Sequence, residues 1–326
     1  MSIPDIFSSH PNRQIGSLGE TAILQQIRER LAECIPSGLE GPFDDAALLP
    51  REESDGLITV DPVVFGMHFD QSMRPREVGR KLVNRNISDI AAMGGTPTRA
   101  VLSLILPSNA SVEWLDEFLR GMVAAALEGK VLIVGGDLSA SHKDWIASLT
   151  LLGKATSRAI PRHGVQPNDL LWVTGKLGGS LHSGHHLNFS PRVAEGKWLA
   201  CQPTVRTMMD ISDGLGKDLP AMLETFSAYL DETQIPISPA ARELEKKSGK
   251  SALHHAFNDG EDYELLFSTE GNLDIEEFTR EWQKIFSTPI SNIGKVLPGN
   301  ESNQSKPFIF RQKIESSDWK GYEHLC

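Results

Sequence analysis

Asp44 and Asp45 stand together in Phe43-Asp44-Asp45-Ala46, Asp61 closes Thr59-Val60-Asp61, Asp89 follows Ser88, and Asp137 ends Gly135-Gly136-Asp137. Asp210 and Asp213 bracket Ile211-Ser212 ahead of Gly214. Carboxylates beside tight turns are hard oxygen ligands. Several of them suit Mg²⁺, which takes few protein carboxylates and completes its shell with water and phosphate. The chemistry such a set could do is nucleotide-phosphate chemistry.

Each cluster also has a plainer reading. The apolar run 131–134 followed by Gly135-Gly136-Asp137 delivers a carboxylate at the carboxyl end of a strand, where open α/β sheets place their ligands, and Gly136 would let a phosphate approach the backbone. A turn with Asp137 as a local cap accounts for that motif at least as well. Asp210 and Asp213, three apart, would share one side of a starting helical turn with the Ser212 hydroxyl. One of them can cap the helix, but two carboxylates exceed what a cap requires. Asp44 and Asp45 repel unless a cation lies between them or one faces solvent. Asp89 sits in the small-residue, largely apolar helix 84–94, where an ionised side chain needs a partner if buried.

The acidic run Gly260-Glu261-Asp262-Tyr263-Glu264 reads as a solvated loop when taken alone. Arg162 could neutralise a phosphate, and is otherwise a surface arginine. His185-His186 and His254-His255 read as surface or structural pairs.

These residues need elements to hold them. Residues 1–18 form a loose polar arm, and an apolar face at Ile23, Leu24, Ile27 and Leu31 predicts a helix over 20–33. Strands are expected at 46–49, 57–60 and 63–65, a helix over 75–93 stopped by Gly94-Gly95, then a buried strand 100–106. Helix 112–128, strand 131–134 and strand 145–152 follow. The Pro- and Gly-bearing stretch 154–169 is a connector, placing a boundary near residue 156, and strand 170–174 opens a second series. In that half a helix is expected over 212–229, opening at Asp213-Gly214, and a strand over 265–268, with a polar loop at 298–307. Alternating helices and strands predict layered α/β or α+β domains.

Composition narrows the class. At 326 residues the chain has room for two domains, and 40% hydrophobic with 23% charged content is that of a soluble globular protein. A net charge of −11 with no Lys/Arg-rich run argues against nucleic acid. Cys34, Cys201 and Cys326 are scattered, with no zinc spacing, as reduced thiols in a cytoplasmic protein would be. Neither a signal peptide nor a membrane-spanning run is expected.

The ordered series Asp-Asp-Ala-Ala, Thr-x-Asp with Gly66-Met67-His68-Phe69 after it, Asn-x-Ser-Asp-x-Ala-Ala-Met-Gly, Gly-Gly-Asp, Val-Thr-Gly, Asp-Ile-Ser-Asp-Gly-Leu and Gly-Glu-Asp-Tyr-Glu-Leu resembles the thiamine-monophosphate kinase family. The likeness covers roughly residues 19–325 and closes at Gly321-Tyr322-Glu323-His324-Leu325. It implies α/β plus α+β, the two-domain aminoimidazole-ribonucleotide synthetase-like fold. An N-terminal domain, 1–155, would bind ATP and Mg²⁺ and form a homodimer through its sheet. The C-terminal α+β domain is 156–326, with the active site in the cleft between the two.

The implied reaction is direct in-line transfer of the ATP γ-phosphate onto thiamine monophosphate, giving thiamine diphosphate. The resemblance assigns several Mg²⁺ ions to Asp44, Asp45, Asp61, Asp89, Asp137, Asp210 and Asp213, ATP to Gly136, Arg162 and Ser212, and the thiamine substrate to His68, Glu261 and Tyr322. A phosphate monoester is already a competent nucleophile, so no dedicated base is needed; metals neutralise and align the two polyanions. The chain departs from the family pattern at Phe43 (usually glycine), Val60 (threonine), Leu138-Ser139 (paired threonines) and Gly179 (aspartate). These departures keep two other readings open: a kinase of the same superfamily with a different phosphate acceptor, and a degenerate paralogue that binds nucleotide or a thiamine-like ligand without turnover.

Overall fold

A computed structural model describes residues 4–18, 22–23, 26–27, 29–30, 33, 56–298, 308–311 and 319–322. Asp44 and Asp45, the expected strand at 46–49 and most of the helix expected over 20–33 lie outside the described residues. The chain divides into two compact units, Met1–Ile90 with Thr96–Ala155, and Thr156–Cys326 with Ala91–Gly95.

The first unit contains α1 (Ile15–Leu18), β1 (Gly56–Val64), α2 (Pro75–Ala92), β2 (Gly95–Pro107), α3 (Val112–Gly129), β3 (Leu132–Ser141) and β4 (Ile146–Ala155). Its four strands form one sheet in the order β1-β4-β2-β3, with β1 antiparallel to β4 and β3 parallel to β2. Burial alternates along β2 and β4, so Leu102, Leu104, Leu106, Ala147, Leu149 and Leu151 are buried while Val101 is exposed. α3 starts at Ser111, whose hydroxyl accepts from Trp114 N, and it buries Trp114 and Phe118. Those rings pack with Phe69 and Trp145, the two indoles 4.7 Å apart between centroids.

Two expectations change here. The two strands predicted at 57–60 and 63–65 are the single β1, and Pro62 is tolerated within it because β1 is an edge strand. The strand predicted at 131–134 runs on to Ser141, so Gly135-Gly136-Asp137 lies inside β3.

The second unit contains β5 (Leu170–Thr174), α4 (Ser180–Ser183), α5 (His185–Asn188), α6 (Val193–Ala200), β6 (Val205–Asp210), α7 (Leu215–Leu223), β7 (Ser227–Leu230), α8 (Pro239–Ser248), α9 (Ala252–Asn258), β8 (Leu265–Thr269), α10 (Ile275–Ile285), β9 (Ile290–Leu297) and β10 (Phe308–Phe310). Six strands form a mixed sheet in the order β10-β7-β9-β5-β8-β6. Both faces are covered, which is why β5 and β8 read as continuous apolar runs. Leu171, Val173, Met209 and Leu266 enter one core with Leu219 and Phe257. Trp172, Met208 and Phe267 enter the other with Phe278 and Trp282. The helix predicted over 212–229 is shorter: α7 ends at Leu223, Glu224 turns to φ 54°, and the chain resumes as β7.

Candidate active site

In the first unit the candidate acids among the described residues ride on regular elements. Thr59 and Asp61 are two apart on β1, and Arg85 and Asp89 are four apart on α2, so each pair shares a face of its element. Thr59 Oγ1 donates to Asp89 Oδ2 at 2.5 Å, and Arg85 Nε donates to Asp61 Oδ2 at 2.9 Å. Arg85 Nη1 also donates to the Pro62 carbonyl at 2.7 Å. Strand and helix are thereby stitched by two adjacent polar pairs, which supplies the partner that Asp89 needs in an apolar helix.

Asp137 is exposed on β3 and accepts from Ser139 Oγ at 2.8 Å. Because the strand continues past it, its carboxylate does not stand at a strand end, and Asp137 is no turn cap. Gly136 is required for close approach: a Cβ there would lie 2.0 Å from the Leu102 carbonyl of the neighbouring strand. His68 sits in the turn after β1, its Nδ1 accepting from Val64 N at 3.2 Å, while the buried Lys81 donates to the His68 carbonyl at 3.1 Å.

In the second unit, loops bring five of the expected residues together. Asp210 ends β6 and is 8% exposed; Ser212 and Asp213 follow in a bend. Glu261 N donates to the Ser212 carbonyl at 2.7 Å, Tyr263 N to Ile211 at 2.9 Å, Ile211 N to Glu264 at 2.8 Å, and Tyr322 N to the Asp213 carbonyl at 2.8 Å. Lys217 clasps the same loop, with Nζ 2.9 Å from Asp213 Oδ2 and 2.9 Å from the Tyr322 carbonyl. Gly260, at φ 69°, makes this crossing possible, since a Cβ there would lie 2.7 Å from the Ser212 carbonyl.

Sequence reasoning missed the residue at the centre of this knot. α7 opens at Gly214 with no side-chain cap, so neither Asp210, Ser212 nor Asp213 is its N-cap. The buried Asp218 reaches back from the first turn instead, accepting from Asp213 N at 3.0 Å and from Ser212 N. Burial, then the neighbouring Asp213 and Asp210 carboxylates, hold Asp218 well above the usual carboxylate range. An acidic residue in the first turn of the helix after an acid cluster was the available signal.

The acidic run at 260–264 is not a solvated loop. Asp262 is 1% exposed and Glu264 2% exposed. Glu264 accepts from Thr174 Oγ1 at 2.6 Å and from Arg192 Nε and Nη2 at 2.7 and 2.5 Å. Asp262 accepts from Gly178 N at 3.0 Å and from Ser180 Oγ at 2.5 Å, and burial pushes it up to about 8. The signal was the position of these acids directly before the apolar strand β8. Arg162 is exposed in the connector, outside the hydrogen bonds of the knot among the described residues. His255 is buried and paired with Asp259, and His186 is buried; His254 and His185 are partly exposed, so the histidine pairs are structural.

As metal ligands, these acids form no ready-made cage: among the described residues no three acidic, His or Cys side chains converge to hold an ion. Asp61 and Asp213 are neutralised by Arg85 and Lys217. The donor set is nonetheless all oxygen, and Asp210, Asp213 and Asp218 are crowded together as hard oxygen donors suited to a cation that brings its own water and phosphate ligands.

A mixed β-sheet unit bearing paired acids on strand and helix, followed by a six-stranded α+β unit, matches known proteins throughout. Residues 43–155 match the family described as AIR synthase related protein, N-terminal domain, which defines the class. Thiamine-monophosphate kinase of Rhodopirellula baltica is 35% identical over 291 residues, spanning 85% of this chain and 89% of its own. A crystal structure of thiamine-monophosphate kinase from Stenotrophomonas maltophilia K279a aligns with a TM-score of 0.72 at 28% identity, covering 89% of this chain and 95% of that one. A structure of AaThiL complexed with AMPPCP and TMP aligns at 0.70 and 28% identity, covering 94% and 97%. This chain belongs to the thiamine-monophosphate kinase family.

Proposed function

We propose that this protein transfers the γ-phosphoryl group of ATP directly to the phosphate of thiamine monophosphate, releasing ADP and thiamine diphosphate. The observation that carries the reading is the knot in the second unit, where backbone hydrogen bonds tie Ser212 to Glu261 and Asp213 to Tyr322 directly after Asp210 ends β6. The relative bound to AMPPCP and TMP supports it: one ligand is an ATP analogue, the other a candidate acceptor.

In this reading an acceptor phosphate oxygen bonds to the γ-phosphorus as the bond to the β-phosphate oxygen breaks in line with it. Asp61, Asp89 and Asp137 of the first unit, Asp210 and Asp213 of the second, and Asp44 and Asp45 would hold Mg²⁺, whose charge offsets the two polyanions. Arg85 and Lys217 pair with Asp61 and Asp213 and orient them before substrate arrives. Gly136, Arg162 and Ser212 are assigned to ATP, and His68, Glu261 and Tyr322 to the thiamine substrate. Tyr322, 41% exposed, presents a ring on which a cationic heterocycle can stack.

The same reading makes the protein a cytoplasmic homodimer. Ile58 and Val60, 71% and 58% exposed, lie on the face of β1 opposite Thr59 and Asp61, and Val101 is exposed on β2. An apolar sheet face of this kind fits a second copy. Sedimentation of the wild type should give a dimer and Ile58→Glu/Val60→Glu a monomer; a monomeric wild type refutes this part. No helix among the described residues is long and apolar enough to cross a membrane.

The deciding experiment incubates the folded, purified protein with ATP, Mg²⁺ and thiamine monophosphate. Thiamine diphosphate is the expected product, and its absence overturns the proposal. Calorimetry then separates the alternatives: Mg²⁺-dependent nucleotide binding without product marks a binding paralogue, and turnover only with another phosphomonoester marks a different acceptor.

A further inference from the structure

Glu261 and Tyr263 both lie in the left-handed region, at φ 56° and 52°, although neither is glycine. Such conformations persist only where surrounding structure over-determines them, and they cluster at functional sites. The residue between them is Asp262, whose buried carboxylate takes no part in the phosphoryl transfer described above. It is spent on a different segment, the turn that follows β5. Both of its oxygens lie 3.0 Å from Gly178 N, and Ser180 Oγ is 2.5 Å from Oδ1. His185 Nε2 lies 3.2 Å from the Asp262 carbonyl, which closes the attachment from the other side.

The strand of contacts continues to the candidate site in one step. The peptide joining Gly260 to Glu261 donates its N–H to Ser212 at 2.7 Å, and Tyr263 N does so to Ile211 at 2.9 Å. Glu261 is thus pinned to the 211–213 loop on one side of its backbone and to the 178–180 turn, through Asp262, on the other. A carboxylate that accepts two donors in a dry interior holds its backbone far more tightly than a solvated one.

We propose that Asp262 is a positioning residue, which by binding Gly178 N and Ser180 Oγ holds Glu261 in its left-handed conformation and so sets the geometry with which Glu261 meets the phosphate acceptor. The proposal rests on the assignment of Glu261 to the thiamine substrate. Asp262 acts on the acceptor, and ATP is not its concern.

The test compares Asp262→Asn, Ser180→Ala, Glu261→Gln and the double variant Asp262→Asn/Glu261→Gln. Asp262→Asn should raise KM for thiamine monophosphate roughly tenfold, the scale set by losing one hydrogen bond in a dry interior, with KM for ATP changed less than about twofold. Ser180→Ala, which leaves the buried carboxylate in place, should follow in the same direction by a smaller factor. In the Glu261→Gln background the Asp262→Asn effect should vanish, since a residue acting through another is not additive with it. Effects that multiply, or KM values that rise equally for both substrates, overturn the proposal.

Amide exchange supplies a readout independent of turnover: the Glu261 and Tyr263 N–H groups should exchange at least about tenfold faster in Asp262→Asn and Ser180→Ala than in the wild type. Unchanged exchange refutes the positioning role even if the wild type proves inactive, whereas an inactive wild type with accelerated exchange refutes only the kinase reading.

Discussion

Asp61 and Asp89 in the first unit and Asp210 and Asp213 in the second are all aspartates beside polar partners, yet they are placed by different means. The first pair is set by periodicity: two residues along β1 against four along α2 bring Thr59 to Asp89 and Asp61 to Arg85. In the second pair Asp210 closes β6, and Asp213 is set by loops tied to loops, with Ser212 and Asp213 accepting from Glu261 and Tyr322, residues about 50 and 110 positions away, and with Asp218 anchoring the bend from within. Acids on regular elements inherit their geometry from the backbone ladder. Acids on loops need dedicated buried anchors, and Asp218, Asp262 and Glu264 are those anchors.

The largest test of this contrast removes charge from each side in turn. Asp89→Asn and Asp213→Asn should each lower kcat/KM by about 10²–10³, a range typical of losing one charge-stabilising group, while far-ultraviolet circular dichroism stays that of the wild type. If one of them keeps full turnover, the two regions do not serve one reaction.

Anchors should differ from periodic placements in stability as well. Glu264→Gln takes the two-pronged carboxylate partner from Arg192, leaving it Glu195 at 3.8 Å, and should cost about 3 kcal/mol in urea unfolding. A loss under about 1 kcal/mol would show that the second unit does not depend on this anchor.

The pH dependence is smaller and has a definite sign. Asp262, at about 8 when folded against an ordinary carboxylate value when unfolded, binds its proton more tightly in the native state. Its contribution to stability is therefore fully present below the unfolded value and is lost as pH rises toward 8. Between pH 5 and 8 the wild-type Tm should fall more steeply than that of Asp262→Asn; parallel profiles would remove the buried acid as the cause.

The smallest effect is expected in the first unit. Thr59→Val removes one hydroxyl donor to Asp89 but leaves strand and helix periodicity intact, and should cost about 1 kcal/mol. A loss as large as that of Glu264→Gln would erase the distinction between the two regions.

Much of this was legible in the chain itself. The helices at 75–93 and 112–128 and the buried strands at 100–106 and 170–174 follow from apolar runs and their stops, because local burial patterns carry that information. The ordered acid motifs pointed to a family, and the 35% identity to a member of it bears that out. β6, β7 and β9 were not legible, since short strands in a sheet covered on both faces share their composition with helix segments. The β3 motif was misread for a related reason: two glycines look like a turn, and only the neighbouring strand, whose Leu102 carbonyl leaves no room for a Cβ, makes them strand residues.

The sequence by itself determined which acids are present, their order, and the kind of cation and phosphate they suit, because ligand hardness is a property of the side chain. Tertiary structure alone decided which carboxylates face outward and which are buried as anchors. Asp213 and Asp218 are chemically identical five residues apart, and Glu261 and Asp262 are adjacent acids. What separates their roles is the set of backbone donors that folding brings to Asp218 and Asp262, and no local pattern encodes a hydrogen bond to a residue 84 positions away.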